Sequence, residues 1–527
     1  MALPKGIQKY RVTHFENKHE NFKQPLKEGA SFELFNPKGT GFEKKKDRYR
    51  KTTKNFQWLI NHAISNNIRL RALGRGWSFT KVGVSKDGIV NTLPLNLSVQ
   101  PNTELVSPHY AKSPEDLYFA QCGTKIVDLN QRLFKKSNKR SIKASGASNG
   151  QTIVGAFSTG THGSAFNTGS VQDFVVGLHI VTGSDKHVWI ERESYPVIGQ
   201  KFVDWLDGPK VIKNDDIFNA ALVSFGSFGF IHGVMIETEP IYLLEEHRVA
   251  DIPYDENLKK AMTNFDFSGL DFIQETVDSS LYHFEVLVNP HDFSSKDVFM
   301  KYIYKKPFKD HEPIVRDNNF TYGDDLLGII QTILDAMGKR LTNKAVPLLV
   351  NAMFSLAFKS KDKPLVGTVG ELFNFTKFRG KVASAAIGID IKDSPRVMEE
   401  IIKVNGQLAY PGGLSLRFVK GTKATLGFTK FPRTCVLEMD GVDSELTKKF
   451  YNKVWTRLEE LGIDFTVHWG KFNSFLNKPR AIKMYGSDRY NSWVKVRNEL
   501  LDISTMNVFT NSFMVDCGLD EQIDALA

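Results

Sequence analysis

The segment at residues 156–163 constrains the fold of this chain more than any other. Its sequence, AFSTGTHG, places two glycines, three hydroxyl side chains and one histidine within eight positions. Ordinary structural strands rarely contain so many glycine and hydroxyl residues in eight positions. At glycine, the backbone can come close to a bound molecule. We interpret the segment as part of a buried ligand site. For the segment taken alone, the alternative is a glycine-rich corner or bulge in a sheet.

A second glycine motif, GRGWSF, occupies residues 74–79 directly after the alternating segment 68–72, which predicts a strand. Glycines allow the backbone N–H groups of such a turn to point at one place, and this arrangement suits a pyrophosphate. A plain tight turn is the alternative. The motif does not have the G-x-G-x-x-G spacing at the start of a helix, so a Rossmann dinucleotide site is not indicated.

Two later segments carry charged side chains next to or on predicted strands. VHWGK contains His468 and Lys471 and ends the predicted strand 463–467. A lysine held beside an electron-rich ring supplies fixed positive charge, whereas a surface lysine at the end of an edge strand is the alternative. SLRF places Ser415 and Arg417 on one face of a strand, because side chains alternate between the two faces. For Arg417 the alternative is a structural salt bridge.

In their order along the chain, the four segments resemble those of the vanillyl-alcohol-oxidase-type (PCMH-type) flavoproteins, and among them the sugar-1,4-lactone oxidase and alditol oxidase branch. GRGWSFT is similar to the first flavin loop of that branch, G-x-G-H-S-F/P, and GAFSTGTHGSA is similar to the second. SFGSFGFI is similar to the G-A-L-G closing strand, SLRF to the E-x-R-F substrate strand, and VHWGK to the H-W-x-K near the C-terminus. The similarity runs from residue 50 to residue 515 and is only generic between 240 and 400.

The resemblance implies an α+β fold with two lobes, in which a substrate domain of antiparallel sheet and helices is inserted into an FAD-binding domain. Residues 1–44 would form an extended lead-in, 45–240 the FAD-binding domain and 241–440 the substrate domain. Residues 441–527 would return to the FAD-binding domain and complete the active site. Apolar periodicity predicts helices at 56–64 and 126–134, a hairpin at 174–190, and amphipathic helices at 325–341 and 346–358.

By position, the resemblance also implies the site residues. The residues expected to contact FAD are Gly74, Arg75, Gly76, Trp77, Ser78, Phe79, Gly146, Ala147, Thr152, Gly155, Ala156, Phe157, Ser158, Gly160, Thr161, His162, Leu222, Gly226 and Lys471. The substrate side would comprise Ser415, Arg417 and Lys471, and the catalytic groups would be Arg417, Lys471 and His468. Gly146 lies where this family tends to place the small residue that admits oxygen, which favours an oxidase.

Two departures from the family pattern change the expected chemistry. Trp77 occupies the position of the histidine that tethers the flavin in many relatives, and Arg75 occupies the position used by a sterol oxidase relative. Neither side chain forms that bond, so we expect the FAD to be non-covalent. Ser415 replaces the acid of E-x-R-F. A serine hydroxyl can hydrogen-bond a substrate but cannot accept a proton as a base, which leaves the substrate open.

We therefore expect an FAD-dependent oxidoreductase that oxidises an alcohol group of a sugar lactone, polyol or related carbohydrate by hydride transfer to the flavin. The electrons would then pass to O2 or another acceptor. One alternative is a sterol or lipid-alcohol oxidase of the same fold, suggested by the two amphipathic helices. Another is a flavin-binding protein without turnover, suggested by Ser415.

Composition narrows the partners and the compartment. The net charge is +10, but 59 acidic residues are interleaved with 69 basic ones, which indicates a mixed solvated surface and not a nucleic-acid partner. Cys122, Cys435 and Cys517 lie far apart, so we expect no disulfide framework and no metal site. Without a secretory start or about 20 consecutive apolar residues, we expect a soluble cytoplasmic protein, with contact to a membrane surface as a secondary alternative.

Overall fold

The chain folds into two lobes, which the computed structural model describes over residues 3–274, 280–293, 297–314, 345–374 and 381–522. The first lobe contains a four-stranded and a six-stranded sheet, and the second contains one eight-stranded sheet. The predicted α+β class is confirmed. The predicted helix at 325–341 lies outside the described residues.

The four-stranded sheet supports the first glycine motif. Its strands are, in spatial order, β1 (Ile7–Lys9), β4 (Phe32–Leu34), β6 (Gly88–Asn91) and β5 (Leu70–Leu73). Helix α1 (Lys45–Ser65) buries Phe56, Leu59 and Ile60 in the same core as Phe32. The helix begins 11 residues before the predicted start at 56, because its first turns are rich in charged residues and apolar periodicity marks only the later turns. Two strands of the first 44 residues thus belong to this sheet.

The six-stranded sheet carries the predicted hairpin. In spatial order its strands are β14 (Lys210–Lys213), β13 (His187–Glu191), β12 (Val175–Val181), β15 (Phe230–Glu237), β8 (Leu117–Gln121) and β7 (Ser98–Val99). Strands β12 and β13 pair antiparallel, with Leu178 opposite Ile190, which confirms the hairpin. The predicted helix at 126–134 is confirmed as α2 (Ile126–Phe134).

The eight-stranded sheet lies in the second lobe, and its described strands pair antiparallel with their neighbours. In spatial order its strands are β20 (Leu365–Gly367), β17 (Tyr242–Pro253), β19 (Asp297–Pro307), β18 (Leu281–Val288), β22 (Gly412–Lys420), β23 (Arg433–Val442), β21 (Val382–Asp390) and β24 (Phe465–Val467). The last strand, β24, ends next to the VHWGK segment. The sheet therefore carries SLRF, on β22, and the start of VHWGK, at the end of β24.

The remaining elements connect and cover these sheets. The short strand pairs are β2 (His14–Glu16) with β3 (Lys23–Pro25), β9 (Arg140–Ser141) with β16 (Glu239–Pro240), and β10 (His162–Ala165) with β11 (Gly169–Ser170). The helices are α3 (Ile153–Ser158), α4 (Gln200–Trp205), α5 (Asp215–Leu222), α6 (Glu256–Asn264), α7 (Ala345–Ala357), α8 (Val369–Leu372), α9 (Ser394–Gln407), α10 (Glu445–Glu460), α11 (Lys478–Tyr485), α12 (Ser487–Leu500), α13 (Ile503–Phe509) and α14 (Ser512–Asp516). Helix α7 corresponds to the helix predicted at 346–358.

The end of the chain returns to the first lobe. Arg71 on β5 is almost fully buried and donates to the Phe509 carbonyl at 2.6 Å. The Asn511 side chain donates to the carbonyls of Val82 at 3.0 Å and Val84 at 2.9 Å. A buried guanidinium is costly without hydrogen-bond partners, so these contacts tie the tail firmly to the strand that leads into the first glycine motif.

Candidate functional site

The two glycine-rich segments meet because glycine stands at their contact points. A Cβ atom at Gly74 would lie 2.4 Å from Thr152 Oγ1, and one at Gly150 would lie 2.4 Å from the Trp77 ring. Thr152 cannot turn away freely, since its Oγ1 caps helix α3 by accepting from the Gly155 N–H at 3.2 Å. Any side chain at residue 74 or 150 would separate the two segments. Together they form one wall of a cavity, which we call the glycine wall (residues 74–79 and 146–162).

The cavity has a volume of about 400 Å³ and lies between the glycine wall and the face of the eight-stranded sheet. Most of the predicted site residues line it: Gly74, Arg75, Gly76, Trp77, Ser78, Phe79, Gly146, Ala147, Thr152, Gly155, Ser158, Thr161, His162, Gly226, Ser415, Arg417, His468 and Lys471. The structure therefore brings together residues from five segments that are distant in sequence.

Four predicted cofactor residues lie behind the wall. In helix α3, positions 152, 155 and 158 recur at helical spacing and face the cavity, so Ala156 and Phe157 point into the core, where they are buried. Leu222 at the end of α5 is buried in the same core, and Gly160 also lies outside the cavity lining. These four residues are not among those that line the cavity.

The glycine wall fits a large cofactor with hydrogen-bond acceptors. Gly76 and Gly226 have φ angles of +67° and +68°, a backbone conformation that side chains rarely adopt. Within the described residues, no atom lies within 4 Å of a Cβ built at Gly226. The buried hydroxyl of Ser158 also lines the cavity and has no hydrogen-bond partner in the described part of the chain. FAD would cover the bare backbone and supply that partner, so the residues fit it.

The sheet side of the cavity carries a buried ion network centred on Arg417. Its Nε donates to Glu285 Oε1 at 2.9 Å, and its Nη1 lies 3.2 Å from Glu438 Oε2. Strand register explains both contacts: Glu285 lies directly opposite Arg417 on β18, and Glu438 lies opposite Ser415 on β23. Lys301 on β19 makes a third ion pair, with Glu285. We call Lys301, Glu285, Arg417, Glu438 and Lys471 the charged cluster.

Glu438 connects the charged cluster to the glycine wall. Its carboxylate forms an ion pair with Lys471 and lies 3.3 Å from His162 Nε2. Burial alone would raise the pKa of this carboxyl, but Arg417 and Lys471 outweigh it and hold the pKa well below the usual value. Glu285 behaves in the same way, because Arg417 and Lys301 outweigh its burial and keep its pKa low. Both carboxylates are thus ionised and occupied by cations.

His468 is positioned as a hydrogen-bond donor. Its Nδ1 accepts from the Gly470 N–H at 2.9 Å. Burial, with Lys471 nearby, holds its pKa well below the usual value, so the ring is neutral. A neutral imidazole whose Nδ1 accepts carries its proton on Nε2. The geometry therefore does not offer His468 as a base for a substrate hydroxyl.

Although residue 415 is a serine, carboxylates of two other residues lie next to it. Its Oγ donates to Glu285 Oε1 at 2.6 Å, and Glu438 stands directly across the strand pair. Two carboxylates on neighbouring strands thus surround the position where the related E-x-R-F strand has its own. The folded chain therefore places carboxylates beside Ser415, although both are paired with cations.

Sequence reasoning missed the carboxylates and the contribution of the first 44 residues. Glu285 and Glu438 stand alone among apolar residues in HFEVLV and CVLEM, which is a signal, because glutamate is almost never fully buried unless it is paired. His19 stacks on Phe79 with 4.1 Å between the ring centres, and burial lowers its pKa to about 3. The segment had no periodicity that would have revealed this contact.

Asp440 is a further cavity residue that the sequence did not reveal. It lines the cavity two residues after Glu438 on the same face of β23 and accepts a hydrogen bond from Ser384 on β21. Burial, followed by the nearby charge of Glu438, raises its pKa, although Lys471 acts in the opposite direction. Unlike the two glutamates, this carboxyl is a comparatively strong proton acceptor.

Comparison with known proteins finds a family match within the first lobe. Residues 49–191 match the FAD binding domain family. D-arabinono-1,4-lactone oxidase of Debaryomyces hansenii is 27% identical over 225 residues, which is 42% of this chain and 36% of that protein. L-gulono-1,4-lactone dehydrogenase of Mycobacterium tuberculosis is 26% identical over 233 residues, 44% of this chain and 43% of that protein. The chain thus spans less than half the length of these relatives. The family match lies within residues 45–240, where the FAD-binding domain is predicted, and it supports FAD as the cofactor.

Comparison with solved structures extends to both lobes. Cholesterol oxidase from Brevibacterium sterolicum superposes with a TM-score of 0.70 at 17% identity, covering 97% of each chain. A solvent-stable cholesterol oxidase gives 0.69 at 15% identity, covering 97% of this chain and 98% of the other. The two-lobed fold predicted from the resemblance to vanillyl-alcohol-oxidase-type flavoproteins is confirmed. Over the described residues, every helix is too short or too polar to span a bilayer.

Proposed function

We propose that this chain, with its FAD-binding domain, is an oxidoreductase that oxidises an alcohol group of a sugar lactone, polyol or related carbohydrate and passes the electrons to O2. The observation that carries the proposal is the charged cluster facing the glycine wall across one cavity. The lactone oxidase and lactone dehydrogenase names of the sequence relatives support the substrate class.

The glycine wall would hold the cofactor, and the charged cluster would serve the reaction. When bound, FAD would supply the acceptor for a hydride from the alcohol carbon. Lys471 supplies a fixed positive charge at the meeting point of the two walls, where it can stabilise developing negative charge. Glu285 and Glu438 hold the Arg417 guanidinium from two sides, so it is oriented to bind a substrate oxygen with little loss of side-chain freedom.

The hydroxyl proton of the substrate needs an acceptor. Glu285 and Glu438 are weak bases because cations hold their pKa values low, and His468 presents a donor. Asp440 lines the same cavity and has a raised pKa, and we assign the role of proton acceptor to it. Gly146 also lines the cavity and adds no side chain beside the bound cofactor, which supports access by O2.

We propose in addition that the FAD is held without a covalent bond. Trp77 and Arg75 occupy the two positions from which relatives tether the flavin, and neither side chain suits that bond. Backbone contacts and burial in the glycine wall would then provide the affinity.

The experiment is anaerobic reduction of the purified protein by D-arabinono-1,4-lactone, L-gulono-1,4-lactone and simple polyols. We expect a flavin spectrum that at least one of these compounds bleaches, with FAD in the supernatant after acid precipitation. Lys471→Met should slow bleaching about 100- to 1,000-fold, whereas Lys201→Met, in an exposed ion pair, should not. A colourless protein that releases no FAD contradicts the function, and a yellow acid pellet contradicts non-covalent binding.

A further inference from the structure

One part of the cavity lining is apolar, and it directly adjoins the charged cluster. We call it the aromatic wall: Leu287, Phe299, Met353, Phe354, Phe358 and Leu372. Leu287 and Phe354 are only half-buried, so part of their surface remains open to the cavity. An accessible apolar surface beside a charged one can contact the apolar part of a bound molecule.

The strands connect the aromatic wall to the charged cluster step by step. On β18, Leu287 follows Glu285 by two residues, and on β19, Phe299 precedes Lys301 by two. Alternation along a strand places each pair on the same face, about 7 Å apart. A molecule held by Arg417 would therefore reach the aromatic wall within the length of a few bonds.

The aromatic wall is also ordered in advance. The ring of Phe358 lies 4.7 Å from that of Phe354 and 5.2 Å from that of Phe299, measured between ring centres. Phe354 lies directly on the backbone of β22, because a Cβ atom at Gly413 would come within 2.8 Å of its ring. Glycine at this point leaves room for the Phe354 ring against the sheet.

We propose that the substrate is amphiphilic, with the oxidised alcohol on a polar end held at the charged cluster and an aryl or alkyl substituent against the aromatic wall. The inference rests on the proposed function and specifies its substrate class. An unsubstituted lactone or polyol carries hydroxyl groups on nearly every carbon, and pressing them onto these rings would leave them without hydrogen bonds, which is costly. An apolar substituent on the same sugar gains free energy from that contact.

A matched series of substrates tests the inference. D-arabinono-1,4-lactone and L-gulono-1,4-lactone are each esterified on the exocyclic primary hydroxyl with acetyl, butyryl, hexanoyl and octanoyl groups. The reduction rate and the binding constant, from the flavin spectrum, are measured anaerobically for each ester. We expect the affinity to rise about fourfold per added methylene until the wall is covered. Phe354→Ala should flatten this rise. Leu348→Ala, on the outer face of the same helix with 74% of its surface exposed, should leave it unchanged.

The outcomes separate this inference from the function beneath it. If unsubstituted lactones reduce the flavin and the esters bind no better, the substrate class is overturned and the proposed function stands. If no compound reduces the flavin, the proposed function fails, while the dependence of binding on chain length still supports or overturns the amphiphilic site. If Phe354→Ala loses FAD and Leu348→Ala does not, the aromatic wall belongs to the cofactor and the inference is overturned.

Discussion

The glycine wall and the charged cluster, on opposite sides of the cavity, are built on opposite principles. The glycine wall depends on atoms that are missing, since Gly74 and Gly150 let two segments touch. The charged cluster depends on atoms that are present, since Arg417 is held between Glu285 and Glu438 deep in the second lobe. Added side chains should therefore damage the first wall, and removed side chains should damage the second.

The largest effect is expected from Glu285→Ala in the charged cluster. The change leaves Arg417 and Lys301 with one buried partner fewer, and breaking a buried ion pair on one side costs about 3–5 kcal/mol of unfolding free energy. Urea unfolding followed by circular dichroism measures the loss. Glu104→Ala is the matched control, because its pair with Lys201 is 66% and 65% exposed and should contribute less than about 1 kcal/mol.

Equal losses of unfolding free energy for Glu285→Ala and Glu104→Ala would contradict the distinction between the glycine wall and the charged cluster. They would mean that Arg417 and Lys301 find water or other partners as easily as surface residues do. The cluster would then be an ordinary solvated ion network, and its geometry would not support a preorganised substrate site.

The same contrast explains what the sequence predicted and what it did not. The glycine wall was predictable because its close contacts require glycines within two short segments. The charged cluster was not, because Glu285 and Arg417 are 132 residues apart and meet only through the register of β18 and β22. Nothing local in the sequence specifies that register. A lone glutamate within an apolar strand was the one available signal.

Two smaller features that the sequence did not reveal have equally local causes. The resemblance implies cofactor contacts for Ala156 and Phe157, and the period of helix α3 directs the side chains of both residues into the core, which leaves their backbone for such contacts. The first 44 residues showed no periodicity, yet the Lys18 N–H donates to the Gly76 carbonyl at 2.7 Å. The side chain of Asn17 donates to the Ser78 carbonyl at 3.1 Å. Contacts made by a backbone group or a single amide leave no pattern in a sequence.

The next largest effect is expected from Gly74→Val in the glycine wall. The new side chain would collide with Thr152, which is fixed by its cap on α3, and overpacking of this kind costs about 1–3 kcal/mol. If the whole cost falls on the cofactor site, FAD affinity drops about 5- to 150-fold. Flavin fluorescence during dilution measures the dissociation constant.

Gly83→Ala is the matched control for the glycine wall. It lies on the same cavity, has no positive φ, and a Cβ there meets no atom of the described residues within 4 Å. FAD affinity should remain at the level of the unmodified protein. An equal loss in both variants would show that any added methyl group disturbs the loop, and the close contact at Gly74 would then have no special role.

The smallest effect is expected from Ser415→Ala, which removes one atom from the charged cluster without removing a charge. Glu285 loses the hydrogen bond from Ser415 at 2.6 Å but keeps its ion pairs with Arg417 and Lys301. The loss should be about 1.5 kcal/mol of unfolding free energy, the low end for a hydrogen bond to a charged group, read from the same urea curves as Glu285→Ala. If the serine orients Glu285, and through it Arg417, substrate affinity should fall more than the rate of flavin reduction. A loss as large as that of Glu285→Ala would instead mean that the hydroxyl, and not the cation contacts, keeps the buried carboxylate in place.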